Sequence, residues 1–205
     1  IHGWWATHLD SLFPGVFLTD PTDKVAFKEF RNKCKNGLVF PFCFGSTYDS
    51  VGENMGIKDK AIINMIGDEF AKKHEGVTKW QNALKQSMLH NGYIVNGFKR
   101  RFRAPLRPNQ IINYPIQSTA SDLVITAMSR LARQSVVEKI PYICPRINIH
   151  DDLSFYIPTE KLEEALMIIL PTMLDTRDYE FLPVPLLAEV TTGQHWADQH
   201  ELGTF

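Results

Sequence analysis

An α+β fold is predicted for this chain, and three observations carry the prediction. Apolar side chains recur three and four residues apart through most of the stretch from Lys24 to Lys139, the period of helices. Extended, β-branched runs gather in the later part, at 147–155 and 186–191. Between Pro145 and Pro158, the run Ile147-Asn148-Ile149-His150-Asp151-Asp152-Leu153-Ser154-Phe155 has the pattern of a hairpin with an acidic tip. With 205 residues and 44% hydrophobic content, the chain has enough material for one large or two small cores. The patterns divide it into a helical part, 1–112, and a mixed part, 113–205.

Taken in order, the first twenty residues are aromatic-rich, with Trp4 and Trp5 near a short helix. Pro21-Thr22-Asp23 reads as a helix start. From there a helix runs over about 22–44, with Phe27, Phe30, Cys34 and Leu38 on one stripe and Lys24, Lys28, Arg31 and Lys35 on another. One stripe is therefore buried and the other cationic. Two more helices are predicted at about Lys58–Lys73 and Val77–His90. Gly92-Tyr93-Ile94-Val95 opens a short extended segment, and Lys99–Arg107 is a basic loop or hairpin. Ile116, Ala120, Leu123 and Leu131 mark a long helix over 115–139, with Pro115 in its first turn. The acidic hairpin spans 146–157. A helix capped by Thr159 follows over 159–175, and a closing strand over 186–191.

The formal charge of −1 excludes a uniformly basic surface, so anion binding must be local. Cys34, Cys43 and Cys144 are odd in number and far apart, which argues against a disulfide framework or a zinc site and fits a reducing compartment. No apolar run approaches the roughly 20 residues of a bilayer span, so no membrane is expected as a partner. His8, His74, His90, His195 and His200 lack ligand spacing and are given structural or surface roles.

Three constellations carry chemistry. Arg31 and Lys35 lie one turn apart, so a guanidinium fork and an ammonium converge on one anion of triphosphate size. Phe40 and Phe44, also one turn apart, follow them as a platform for a base and sugar; alone they are more often core residues. Asn113 and Gln117 present neutral amides to sugars, phosphates or minor-groove edges. Lys99, Arg100, Arg101, Arg103 and Arg107 form a local phosphate-binding patch or a plain basic surface. On the hairpin, successive strand residues face opposite ways, so Asp151 and Asp152 cannot readily serve one metal ion together. A second strong carboxylate has to come from elsewhere.

In their order, these segments resemble the polymerase domain of family A (polymerase I-like) DNA polymerases over nearly the whole chain. Ile1-His2 with Ala6 looks like the family's Asp-Ile-His segment. Arg31, Lys35, Phe40, Phe44 and Gly45 look like motif B on the mobile fingers helix. Gly92-Tyr93, Arg100-Arg101 and Pro105 resemble its Gly-Tyr, Gly-Arg-Arg and Pro segment, and Asn113-x-Pro115-x-Gln117-x-Thr119-Ala120-x-Asp122 its amide-bearing helix. His150-Asp151-Asp152 looks like motif C. Pro185-Leu186-Leu187-x-Glu189-Val190, Gly193 and Trp196 resemble the C-terminal strand and tail. The resemblance implies a helical fingers subdomain joined to part of a palm, whose antiparallel sheet carries the hairpin.

It also implies template-directed DNA synthesis from dNTPs, with two Mg2+ ions (or Mn2+ in their place) held by Asp151 and, less strongly, Asp152. His2, Arg31 and Lys35 would hold the triphosphate, Lys35 also giving a proton to the leaving pyrophosphate. Phe40 would lie against the sugar and Phe44 beside the nascent pair. Asn113, Gln117, His150, Arg100 and Arg101 would face primer–template DNA. The expected setting is the cytoplasm of a bacterium or a phage-infected cell. Other readings of Asp151 are a metal-dependent nuclease or phosphohydrolase, and of the fold a non-catalytic nucleic-acid module.

The family pattern is departed from in four places. Lys35 and Phe40 are five apart where the family has four, which predicts a π-bulge or unwinding near Gly37–Pro41 and leaves Val39 as a rival to Phe40. Asn109 stands where many relatives have arginine, and Asp152 where they have glutamate. The motif that carries the other metal-binding aspartate is absent, and the chain opens in mid-pattern. A fragment or one half of a split polymerase is therefore expected, inactive without an N-terminal portion carrying that motif and the thumb.

Overall fold

The computed structural model describes every residue except Thr19 and Pro21, so the proline of the predicted helix start lies outside the described residues. The fold is α+β, and its contacts group into two units, residues 1–94 with 101–114 and residues 95–100 with 115–205. No helix is long and apolar enough to cross a membrane among the described residues.

In the first unit, α1 (His2–Leu12) packs beside α2 (Lys24–Cys34). Asp23 caps α2 by accepting the amides of Val25 at 2.8 Å and Ala26 at 3.2 Å, which satisfies donors that the first turn leaves open. Helical geometry then continues through a π turn, Lys35–Val39, into α3 (Phe40–Cys43). The π turn that the inserted residue predicted forms, beginning two residues before the Gly37–Pro41 stretch expected for it. Phe40 N–H donates back to the Lys35 carbonyl, five residues away. Pro41 in the first turn of α3 has no N–H to offer the Gly37 carbonyl, so a regular ladder was already broken there.

The buried stripe comes out as expected. Phe30, Cys34 and Leu38 enter a core with Trp5, Leu9, Val39, Phe42 and Phe70, and Phe27 packs on its edge. Burial pushes the Cys34 thiol up to about 12, so this residue serves as a small apolar packing group. The cationic stripe lies on the outside, with Lys24, Lys28 and Arg31 exposed.

A helix that the periodicity did not reveal, α4 (Tyr48–Met55), is capped by Thr47 and ends at Gly56 with φ 77°. Gly52 lets it close on the following loop and α5 (Lys60–Lys73), since a Cβ there would stand 3.0 Å from the Ile57 carbonyl and 3.3 Å from Cγ1 of Ile63 in α5. Next comes α6 (Glu75–Asn91), then β1 (Tyr93–Val95) paired with β2 (Arg101–Arg103), so the basic segment is a hairpin.

Helix α7 spans Pro108–Val137. This corrects the expected start at Pro115, which lies inside the helix, while Pro108 takes the first position that favours proline. In the second unit, Leu131 packs with Ile143, Ala165 and Ile169, the last two from α8 (Leu162–Met173). Thr159 does not cap that helix. It opens a short 3₁₀ turn, Thr159–Lys161, that leads into α8 without a side-chain cap. The acidic hairpin consists of β3 (Ile147–Ile149) and β4 (Asp152–Ser154), antiparallel with Ile149 opposite Asp152. The closing strand β5 (Glu189–Thr192) begins three residues later than expected and pairs with an unforeseen strand, β6 (His200–Thr204).

Candidate active site

Four of the five candidate triphosphate and sugar residues meet on one side of the α2–α3 helix. The Lys35 ammonium stands 5.2 Å from the centre of the Phe40 ring, and the His2 ring meets Phe40 edge-on at 5.4 Å. Phe44 lies one turn on, its ring centre 5.9 Å from that of Phe40. In a regular helix, residues five apart lie about 140° around the axis from each other. The π turn takes up the extra residue and returns Phe40 to the side of Lys35. Val39, its rival, is 1% exposed and sealed in the core, whereas Phe40 is 38% exposed.

His2 registers the cations around it. Burial, then the N-terminal amine, Lys35 and Arg31 hold its imidazole below the usual 6.5. Its Nδ1 is buried with no hydrogen-bond partner among the described residues. Behind this face, His74 accepts the Trp5 indole N–H at 3.2 Å, and burial, helped by Lys73, lowers it too. A histidine with a depressed value favours folding while neutral. Its contribution is complete above the unfolded value near 6.5 and is lost as pH falls through the folded value. Thermal melts from about pH 7.5 to about pH 5 should therefore show Tm falling below the unfolded histidine value. His74→Gln, which keeps an acceptor for Trp5 without titrating, should weaken the trend. A flat wild-type profile would contradict it.

On the hairpin, His150 and Asp151 are the two turn residues, both exposed, and His150 has φ 57°. Two-residue hairpin turns demand a left-handed first residue to match the twist of their strands. Asn148 braces the turn by donating its amide to the carbonyls of His150 at 3.2 Å and Asp152 at 3.1 Å. This brace was not foreseen. Asp151 thus projects from a fixed tip, and Asp152 begins β4 opposite Ile149. Ile147 and Ile149, on the same face as Asp152, are 37% and 47% exposed. Among the described residues, no three His, Cys, Asp or Glu side chains gather into a metal site.

Asn113 and Gln117 sit one turn apart on α7, Gln117 exposed and Asn113 half-buried. The Asn113 carbonyl oxygen Oδ1 is buried without a partner among the described residues. Such an atom is costly unless something pairs with it. Of the two candidate arginines, Arg101 lies over the Tyr93 ring at 4.7 Å. Arg100 is ion-paired with Asp122, a helix residue that is 6% exposed. Asn96 completes this network, giving its amide to Asp122 at 2.6 Å and to Ser118 at 3.1 Å while accepting the Arg100 N–H at 2.9 Å. No local pattern marks Asn96, because its partners on α7 are 22 and 26 residues away.

A family profile described as DNA polymerase family A matches residues 16–198. The chain belongs to DNA polymerase family A. The family A match includes Arg31, Lys35, Phe40, Phe44 and the acidic hairpin, while His2 lies before it. The DNA polymerase of Mycobacterium phage D29 is 33% identical over 140 residues, covering 68% of this chain and 22% of its own length. DNA polymerase I A, chloroplastic/mitochondrial, of Arabidopsis thaliana is 27% identical over 186 residues, 86% of this chain and 17% of its own length. DNA polymerase I of Streptococcus pneumoniae (strain ATCC BAA-255 / R6) is 24% identical over 192 residues, covering 88% and 21%. The chain thus spans only 17% to 22% of the length of these relatives. Among solved structures, the POL domain of Pol1 from M. smegmatis, in complex with DNA primer-template and dNTP, superposes with a TM-score of 0.67 at 18% identity. It covers 90% of this chain and 32% of that one, and it shows a shared fold.

Proposed function

We propose that this chain is the fingers and C-terminal palm part of a DNA-directed DNA polymerase. The observation that carries the reading is the convergence of His2, Lys35, Phe40 and Phe44 on one helix face, with Arg31 among the charges acting on His2. Cations beside an aromatic pair match a nucleoside triphosphate, and the Pol1 domain that shares the fold was solved with dNTP and primer-template. The reaction joins the primer 3′ oxygen to the α-phosphorus of the dNTP and breaks its bond to the bridging oxygen of the pyrophosphate. Such a transfer is mostly positioning and charge neutralisation. Arg31, Lys35 and His2 hold the phosphates, and Lys35 supplies the proton that the pyrophosphate takes up. Phe40 packs against the sugar and Phe44 against the nascent pair. Asn113 and Gln117 face the primer–template, with Arg101 and His150 beside the backbone.

Asp151, a hard oxygen donor exposed at a braced tip, suits Mg2+, with Asp152 next to it. A pair of such ions, when bound, supplies charge neutralisation and lowers the pKa of the attacking hydroxyl. One carboxylate does not hold two ions, so a second comes from polypeptide outside these 205 residues. The exposed Ile147 and Ile149 face beside Asp152 suits a further apolar strand carrying it. The test is extension of a primed template with Mg2+. This chain alone should give none, and activity should appear with the polypeptide that carries the missing aspartate. Robust extension by the chain alone refutes the incomplete-site reading.

A further inference from the structure

We propose that Gln81 is a positioning residue for the aromatic half of the nucleotide site, an inference that rests on the function just proposed. Helix α3 ends directly beneath Phe44, where the Phe42 carbonyl accepts the Gly45 N–H at 3.2 Å and the Cys43 carbonyl belongs to the last turn, which lacks donors within the helix. Gln81 reaches across from α6 and donates its amide Nε2 to the carbonyls of Phe42 at 2.8 Å and Cys43 at 2.9 Å. A planar peptide ties the Cys43 carbonyl rigidly to the Phe44 nitrogen. Holding that carbonyl therefore sets the axis about which the Phe44 side chain is placed. The neighbouring contacts do not replace this hold. Phe42 anchors inward, its ring 4.8 Å from Phe70 and 5.6 Å from Tyr48. Beyond Phe44 the chain turns at once through Gly45, φ 80°.

The chemistry of the side chain matters. A neutral amide offers two hydrogens on one nitrogen and sits half-buried without a charge to desolvate. Glutamate has the same shape but would turn acceptor oxygens toward two carbonyls. Arg31 lies in α2 and Lys35 opens the π turn, both ahead of the α3 carbonyls that Gln81 holds. Losing Gln81 should therefore disturb the aromatic pair and spare the phosphate clamp, which separates this role from general stability.

The experiment compares two probes on the full chain with Mg2+, dATP and inorganic tripolyphosphate, in wild type, Gln81→Leu and Gln81→Glu. The expected result is a loss of roughly five- to tenfold in dATP affinity for both variants, with tripolyphosphate affinity unchanged within about twofold. Equal dATP affinity in wild type and variants overturns the role of Gln81. A parallel fall for both probes overturns it as well, because it marks a merely structural residue. Wild-type chain that binds tripolyphosphate but no dATP overturns the nucleotide reading itself, a failure distinct from that of Gln81.

Discussion

Asp151→Ala is expected to lower template-directed extension roughly 10³-fold or more in the assembled polymerase, because on the proposed reading it removes the metal ligand that neutralises charge at the reacting phosphate. Primer–template affinity should change by less than about twofold, since backbone contacts elsewhere supply most of it. Asp151 occupies the tip of a turn held by Asn148, so truncation leaves the hairpin backbone and its ladder intact. Asp152→Ala should cost less, on the order of tenfold, because its side chain shares the strand face of Ile149 instead of projecting from the tip. Steady-state extension with parallel equilibrium DNA binding measures both quantities. Extension by Asp151→Ala at near wild-type rate would remove this residue from the metal site, whatever the value for Asp152.

Much of this was legible in the chain because the deciding signals were local. The apolar and cationic stripes of α2 follow from a period that any helix imposes, and they are found on the core and outer sides as read. The turn at His150-Asp151 follows from an acidic pair between two apolar runs. What escaped reading depends on distant partners or on competing local preferences. Helix α4 is polar and contains Gly52, a poor helix former that is kept because α5 approaches it closely. Pro115 looked like a helix start because proline favours that position, but Pro108, seven residues earlier, fills it. Strand β6, with sequence His-Glu-Leu-Gly-Thr, has little strand propensity and exists through its pairing with β5. The buried pairing of Asp122 left no local signal, because its partners Asn96 and Arg100 lie in a loop far upstream.

The π turn yields the second large effect, through a contrast between one residue fewer and one residue more. Deleting Asn36, an exposed residue inside the turn, removes the extra position without removing a core side chain. The helix can then close into regular α geometry with Arg31 and Lys35 still in phase with Phe40 and Phe44. Triphosphate binding should stay within about threefold of wild type, and Tm should hold, since the only break left in the hydrogen-bond ladder is the one Pro41 already makes at the Gly37 carbonyl. Inserting one alanine after Asn36 adds a second extra residue to a turn that already holds one. Everything beyond it rotates by about 100°, which swings Leu38, Val39 and Phe42 out of the core. Losing three such side chains costs on the order of 5 kcal/mol or more, enough to unfold most domains of this size. The insertion variant should therefore lose both its cooperative melt and its nucleotide binding, while the deletion variant keeps both. Equal damage from deletion and insertion would mean that the π turn is a required shape in its own right and not the accommodation of one extra residue.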